Sequence, residues 1–159
     1  MTVEPKIALR LKFLARVVRK ECKHLATTDQ RLFQGLFTRE QVTRLEEDPD
    51  LAERVEAFVS RFGRLQDTVG DKLLPVLLAA LGEKPSAAID NLDRAERLGL
   101  LHSADEWMAM RSLRNQMVHE YVEDPVVLSS ALQTGHAFVP ALIGIANKMI
   151  TEIERRGWI

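Results

Sequence analysis

The sequence predicts an all-α helical bundle forming a single domain, 1–159, and three observations lead there. Apolar residues recur at three- and four-residue spacings through nearly every segment. Capping boxes, Asp-Pro pairs and the Gly82-Glu83-Lys84-Pro85 stretch separate those runs. No β-hairpin signal, internal repeat or low-complexity segment interrupts them. With 159 residues the chain is long enough to bury its own core.

In order along the chain, Ile7, Leu11, Leu14, Val18 and Leu25 make the apolar stripe of a first helix whose other faces carry Lys and Arg. Thr27-Thr28-Asp29-Gln30 and Thr38-Arg39-Glu40-Gln41 both fit the capping box, in which a hydroxyl accepts a backbone N–H and the fourth side chain reaches back. They predict two short helices broken at Gly35. Asp48-Pro49 starts the next helix, with a carboxylate cap and a proline where its missing N–H costs nothing. Leu51, Val55, Phe58, Phe62, Leu65, Val69, Leu73 and Val76 then mark a stripe about seven turns long, which Pro75 should kink or divide.

Gly82-Glu83-Lys84-Pro85 ends that segment, and Ser86 is expected to cap a helix running through Ala95 to Leu98. Ser103-Ala104-Asp105-Glu106 opens another, predicted to reach about Glu123 because Pro125 disfavours helical geometry at Asp124. A last helix, from roughly Phe138 to Arg156, carries Leu142, Ile145, Ala146, Met149 and Ile153 on one face.

Composition bounds the function. Hydrophobic residues at 46% and charged residues at 28% argue for a globular domain rather than a disordered or fibrous chain. The basic N-terminal residues leave no signal-peptide pattern, and no apolar run is read as membrane-spanning, so a cytoplasmic location is expected. One cysteine, Cys22, excludes an internal disulfide, and His24, His102 and His136 have no metal-ligand spacing. The net charge is −1, but residues 1–44 hold ten Lys/Arg against four Asp/Glu. That basic helical region suits phosphates, the acidic face of a partner subunit, or simply solvent.

Arg114-Asn115-Gln116-Met117-Val118-His119-Glu120-Tyr121 concentrates functional side chains on the last turns of one helix. Arginine grips a phosphate through a fixed fork of donors, and histidine exchanges protons near neutral pH. Together they suffice for metal-free RNA cleavage by the ribose 2′-hydroxyl, with Arg114 stabilising the charged phosphorus and His119 handling the proton. At about 100° per residue, Arg114 and Tyr121 lie within roughly 20° of each other, whereas His119 is rotated by about 140° from Arg114. A two-fold dimer would let two copies of the motif converge on one cleft. An ordinary surface arginine and a hydrogen-bonded histidine have the same spacing.

This segment resembles the R-x4-H-x-Y signature of HepT-like proteins of the HEPN superfamily, with Asn115 as the polar residue after the arginine. The resemblance extends over roughly residues 50–125, through Phe58-Val59-Ser60-Arg61-Phe62, Leu81-Gly82, Arg97-Leu98-Gly99-Leu100-Leu101 and Trp107. It implies a HEPN-like bundle and a homodimeric endoribonuclease toxin that needs no cofactor, with Arg114 and His119 catalytic. It also implies an MntA-like minimal nucleotidyltransferase as antitoxin, which adds AMP to Tyr121. Relatives regarded as non-catalytic substrate-binding partners of nucleotidyltransferases supply the other reading, in which Arg114 holds a nucleotide phosphate.

Asp67 and Asp71 lie on the polar side of the long helix with Arg61 and Arg64. One of these aspartates either orients His119, as an added polar group does in related proteins, or pairs within its own helix, as Arg64 with Asp67. Trp107 and Met110 are expected in the core.

Overall fold

The computed structural model describes residues 2–34, 38–119 and 124–159, and among them it is all-helical, with no strand. Seven α-helices follow one another: α1 (Pro5–Leu32), α2 (Arg39–Thr43), α3 (Pro49–Asp67), α4 (Leu74–Ala80), α5 (Ala88–Arg97), α6 (Ala104–His119) and α7 (Pro125–Arg155). A π-helical segment, Thr68–Leu73, joins α3 to α4 without a break in direction of the chain's coil.

α3 is central. Val55, Phe58, Phe62 and Leu65, continued by Val69 and Leu73, are all fully buried, while Leu51 and Val76 at the ends of the predicted stripe pack against the core from its margin. α1 lies along α3 through Leu11, Leu14, Val18 and Leu25, all at 1% exposure or less. α6 and α7 pack on each other and close the other side. Gly135 of α7 admits the Phe58 ring and the Met117 sulfur, which would stand 3.2 and 3.3 Å from a β-carbon there.

The start signals at Thr38 and Asp48 operate as the sequence predicts. Thr38 Oγ1 accepts the Gln41 N–H at 3.4 Å while Gln41 Oε1 accepts the Thr38 N–H at 2.9 Å. Asp48 accepts the Leu51 N–H at 3.1 Å, with Pro49 at the first position of α3. Pro75 does divide the long stripe, and the π turn shows how. Proline has no N–H to return to residue 71, and the coil widens just before it so that the Leu74 N–H bonds the Val69 carbonyl. Gly82, at φ 82°, ends α4 with the Glu83 N–H on the Leu78 carbonyl at 2.9 Å.

Four expectations are corrected. α1 runs on through Thr27-Thr28-Asp29-Gln30 to Leu32, so that box starts no helix. Its polar groups are spent on tertiary contacts: Thr28 Oγ1 accepts from Arg61 of α3, and Asp29 meets His136 Nδ1 of α7 at 2.6 Å. Gly35 lies outside the described residues. Ser86 does not cap α5, whose N-cap is Ala87; the Asn91 amide instead brackets Ser86, taking its N–H at 2.8 Å and donating to its carbonyl at 3.1 Å.

α7 begins at Pro125, thirteen residues before the predicted Phe138, with Asp124 accepting the Val126 N–H at 3.0 Å. Pro125 thus opens one helix where the sequence suggested only the end of another; the end itself, predicted near Glu123, lies outside the described residues. The helix continues through Pro140, where the His136 carbonyl forgoes its bond four residues on. Finally, α7 is by length and composition apolar enough to cross a membrane, with a mean hydropathy of 1.4 over its best eighteen-residue window. The sequence expectation of no such run came from starting this helix too late. Leu128, Leu132, Leu142 and Ile153 of this helix are fully buried in the bundle.

Candidate functional site

Two caps fix the start of α6. Ser103 Oγ accepts the Glu106 N–H at 3.0 Å, and the Glu96 carboxylate of α5 accepts the Ala104 N–H at 2.8 Å. From there Trp107, Met110, Leu113 and Met117 face inward at three- and four-residue spacings and are all buried. Trp107 and Met110 are core residues, as predicted. The buried Gln66 of α3 donates from Nε2 to the Trp107 carbonyl at 3.3 Å.

Arg114 stands at the edge of this stripe and lies across α3. Its side chain passes over Gly63, where a β-carbon would come within 2.6 Å of the arginine Nε. Its guanidinium ends on the Asp67 carboxylate in a part-buried ion pair. One turn back on α6, Arg111 meets Asp71 at 3.7 Å. Two arginines of α6 therefore grip two aspartates of the α3 region in antiparallel order.

This resolves the alternatives for the aspartates in a way the sequence did not suggest. Asp67 neither pairs with Arg64 nor faces His119; it orients Arg114. Arg64 turns to Ser60 Oγ at 3.4 Å. The interhelical pair prevails because Gly63 lets the α6 arginine approach α3 and reach a partly sheltered carboxylate, where a charge pair is screened less than on an open helix face.

Between α3 and α6 opens a groove of about 690 Å³, with Ser60, Gly63, Asp67, Arg114, Met117 and Val118 among its walls. Arg114 presents charge there, held at one side and accessible at the other, with 26% of its side chain exposed. Asn115 and His119 are exposed on α6 and are not among the groove's walls. That matches the rotation of about 140° between positions 114 and 119 on one helix. Tyr121 lies outside the described residues. The fold thus brings Arg114 and Asp67 together and leaves His119 on another face of the same helix.

Gly63 is the site residue that sequence reasoning missed. Its signal was present: an isolated glycine inside a strong helical stripe costs about 1 kcal/mol against alanine and calls for a packing reason. Among the described residues no three His, Cys, Asp or Glu side chains gather as a metal-ion site.

Next to the groove, Glu21 of α1 accepts from Thr68 Oγ1 at 3.1 Å, and the same hydroxyl faces the Arg64 carbonyl at 2.9 Å. Burial raises the Glu21 pKa above its ordinary value, against the pull of Thr68, Arg64 and Lys72. Because the folded pKa is the higher one, the stability this group offers is fully present below about 4.5 and is lost as pH rises through the folded value. Glu21→Gln is therefore expected to melt at a higher temperature than the parent at pH 7, with the gap closing as the pH falls to 4.5. Thermal melts across that range check it.

Cys22, beside it, is buried, and burial pushes its thiol up to about 11. The thiol stays protonated near neutral pH. We expect alkylation of Cys22 by iodoacetamide to be negligible in the native protein and to become rapid in denaturant, read by mass spectrometry.

The chain matches no protein-family model, no curated protein and no solved structure.

Proposed function

We propose that this chain is a HepT-like toxin of the HEPN superfamily: a cytoplasmic, homodimeric, metal-independent endoribonuclease. The observation that carries the reading is Arg114, held by Asp67 over Gly63 and presented to an open groove, within an Arg-x4-His-x-Tyr segment. The ribose 2′-oxygen attacks the neighbouring phosphorus and the bond from phosphorus to the 5′-oxygen breaks. The products are a 2′,3′-cyclic phosphate and a free 5′-hydroxyl. His119 takes the proton of the 2′-hydroxyl or returns one to the leaving oxygen, and Arg114 balances the charge gathering on the phosphoryl oxygens.

Because one copy points Arg114 and His119 in different directions, a complete site draws on both subunits of a two-fold pair. Val118 within the motif, on the groove wall, and Val126 at the start of α7, each more than half exposed, supply apolar surface for such a pairing. The antitoxin is an MntA-like nucleotidyltransferase that transfers AMP from ATP to the Tyr121 phenol, releasing pyrophosphate. A bulky anion two turns from Arg114 in the helical register occupies the arginine and shuts out the RNA phosphate.

A second reading has its own observation. His119 is not a wall of the Arg114 groove, which suits a nucleotide-phosphate binder that cleaves nothing and partners a nucleotidyltransferase. Growth of cells expressing the parent or His119→Ala, with total RNA resolved on a gel, separates the two. Toxicity and RNA loss that vanish with the substitution support the nuclease, and intact RNA in both supports the binder. Asp67→Asn is expected to loosen Arg114 and lower RNA cleavage about tenfold, which corresponds to about 1.4 kcal/mol of lost transition-state stabilisation. Initial rates on a labelled oligonucleotide measure it.

A further inference from the structure

Arg64 borders both the site groove and a second cavity, and Arg61 borders that cavity and a third. The second cavity, about 240 Å³, lies between α1 and α3 and has Glu21, His24, Arg61 and Arg64 as walls. The third, about 360 Å³, continues past Arg61 to Arg54 of α3 and Arg31 of α1. From the motif outward, the arginines on the cavity walls therefore run Arg114, Arg64, Arg61, Arg54, with His24 and Arg31 alongside, and Arg64 and Arg61 are the walls shared between neighbouring cavities. We infer that these linked cavities are a track for a single RNA strand, leading from the Arg114 groove across α3 to the basic face of α1.

The spacing fits a strand. Arg54 and Arg64 are separated by about 15 Å of helix axis. That is room for about four phosphates of a stacked strand at ~3.4 Å per nucleotide. Arg54 and Arg61, two turns apart, share one face within roughly 20°. Recesses between the arginines suit unstacked bases, on whose faces guanidinium planes stack, whereas a duplex keeps its bases out of such cavities.

Counted once each across the three cavities, Arg31, Arg54, Arg61, Arg64 and Arg114 are balanced by Glu21, Asp50, Glu53, Glu56 and Asp67. The track would therefore hold phosphates through individual guanidinium groups and not through a net positive charge. Arg61 is also held in place, donating to the His24 carbonyl at 3.2 Å and to Thr28 Oγ1. It organises the middle of the track and ties α1 to α3, so it is a poor residue to remove. Among the Lys and Arg of the basic first forty-four residues, Arg31 is the side chain that lines the track.

This inference rests on the RNA reading above, and the test separates the two. Full-length protein carrying His119→Ala keeps the RNA intact while affinity is measured for an octanucleotide and a dinucleotide between about 50 and 200 mM salt. Arg31→Gln with Arg54→Gln is expected to reduce the salt slope for the octanucleotide by about 1.4, at about 0.7 per phosphate contact. The affinity lost across that salt range then shrinks about sevenfold. Dinucleotide binding stays unchanged. Removing two charges elsewhere, Arg97→Gln with Lys148→Gln, leaves the slope as it was, and each single track substitution gives about half the effect. Equal slopes for both double variants overturn the track, as does equal affinity for the two oligonucleotides. In that case RNA cleavage by the unsubstituted protein shows that the nuclease reading survives. Absence of both RNA binding and cleavage overturns the two together.

Discussion

Gly63→Ala is expected to leave the bundle standing and to remove most of the RNA cleavage proposed for it. The added methyl occupies the space through which Arg114 reaches Asp67, with the arginine Nε 2.6 Å from the new carbon. What must yield is the outer part of a long, flexible side chain, so the fold loses little. Alanine also gains about 1 kcal/mol of helix propensity over glycine in the middle of α3. The melting temperature should be unchanged or slightly higher. The displaced guanidinium no longer meets the phosphoryl group, and loss of one such preorganised donor costs about 10²–10³ in rate. Cleavage rates and thermal melts on the same sample check both halves. A fully active Gly63→Ala protein contradicts the placement of Arg114 in the groove.

The same substitution seven residues later should do the reverse. At Gly70 a β-carbon would stand 2.7 Å from Trp107 Cζ2, and the indole cannot step aside because it is 2% exposed. Overpacking of this kind costs about 1–3 kcal/mol. Trp107→Ala, which empties the space instead, should cost about 3–5 kcal/mol. The π turn at Thr68–Leu73 lets the chain carry a glycine against the ring while Val69 and Leu73 stay in the core. Denaturant midpoints measure both variants. If Gly70→Ala proves as stable as the parent, α6 is seated differently against this turn.

Local grammar carried much of the fold. The apolar stripe from Val55 to Leu73, the Thr38 and Asp48 caps and the Gly82 stop each need only their neighbours in sequence, and each appears where those neighbours put it. The failures are tertiary. Thr27-Thr28-Asp29-Gln30 has the letters of a cap, yet Arg61 and His136 claim Thr28 and Asp29 from other helices. Asp124-Pro125 has the letters of Asp48-Pro49, and its meaning as a start was hidden because it also follows a helix. Pro140 hid the continuity of α7.

The candidate site divides in the same way. Arg114 and its angular separation from His119 follow from one helix, and the structure keeps them apart as that geometry requires. Asp67 was legible as a polar group near the motif, but its choice of Arg114 over Arg64 depends on Gly63 and on how α6 crosses α3. No local pattern encodes a crossing. The ladder of Arg111 with Asp71 and Arg114 with Asp67 is likewise a property of two helices packed together.

The most direct test of the nuclease proposal is incubation of purified protein with a single-stranded RNA in excess EDTA, comparing the parent with His119→Ala. The proposal predicts fragments ending in a 2′,3′-cyclic phosphate from the parent. Removing the proton-transfer group should slow their formation by about 10²–10⁴. Equal cleavage by both proteins, or intact RNA with both, contradicts it.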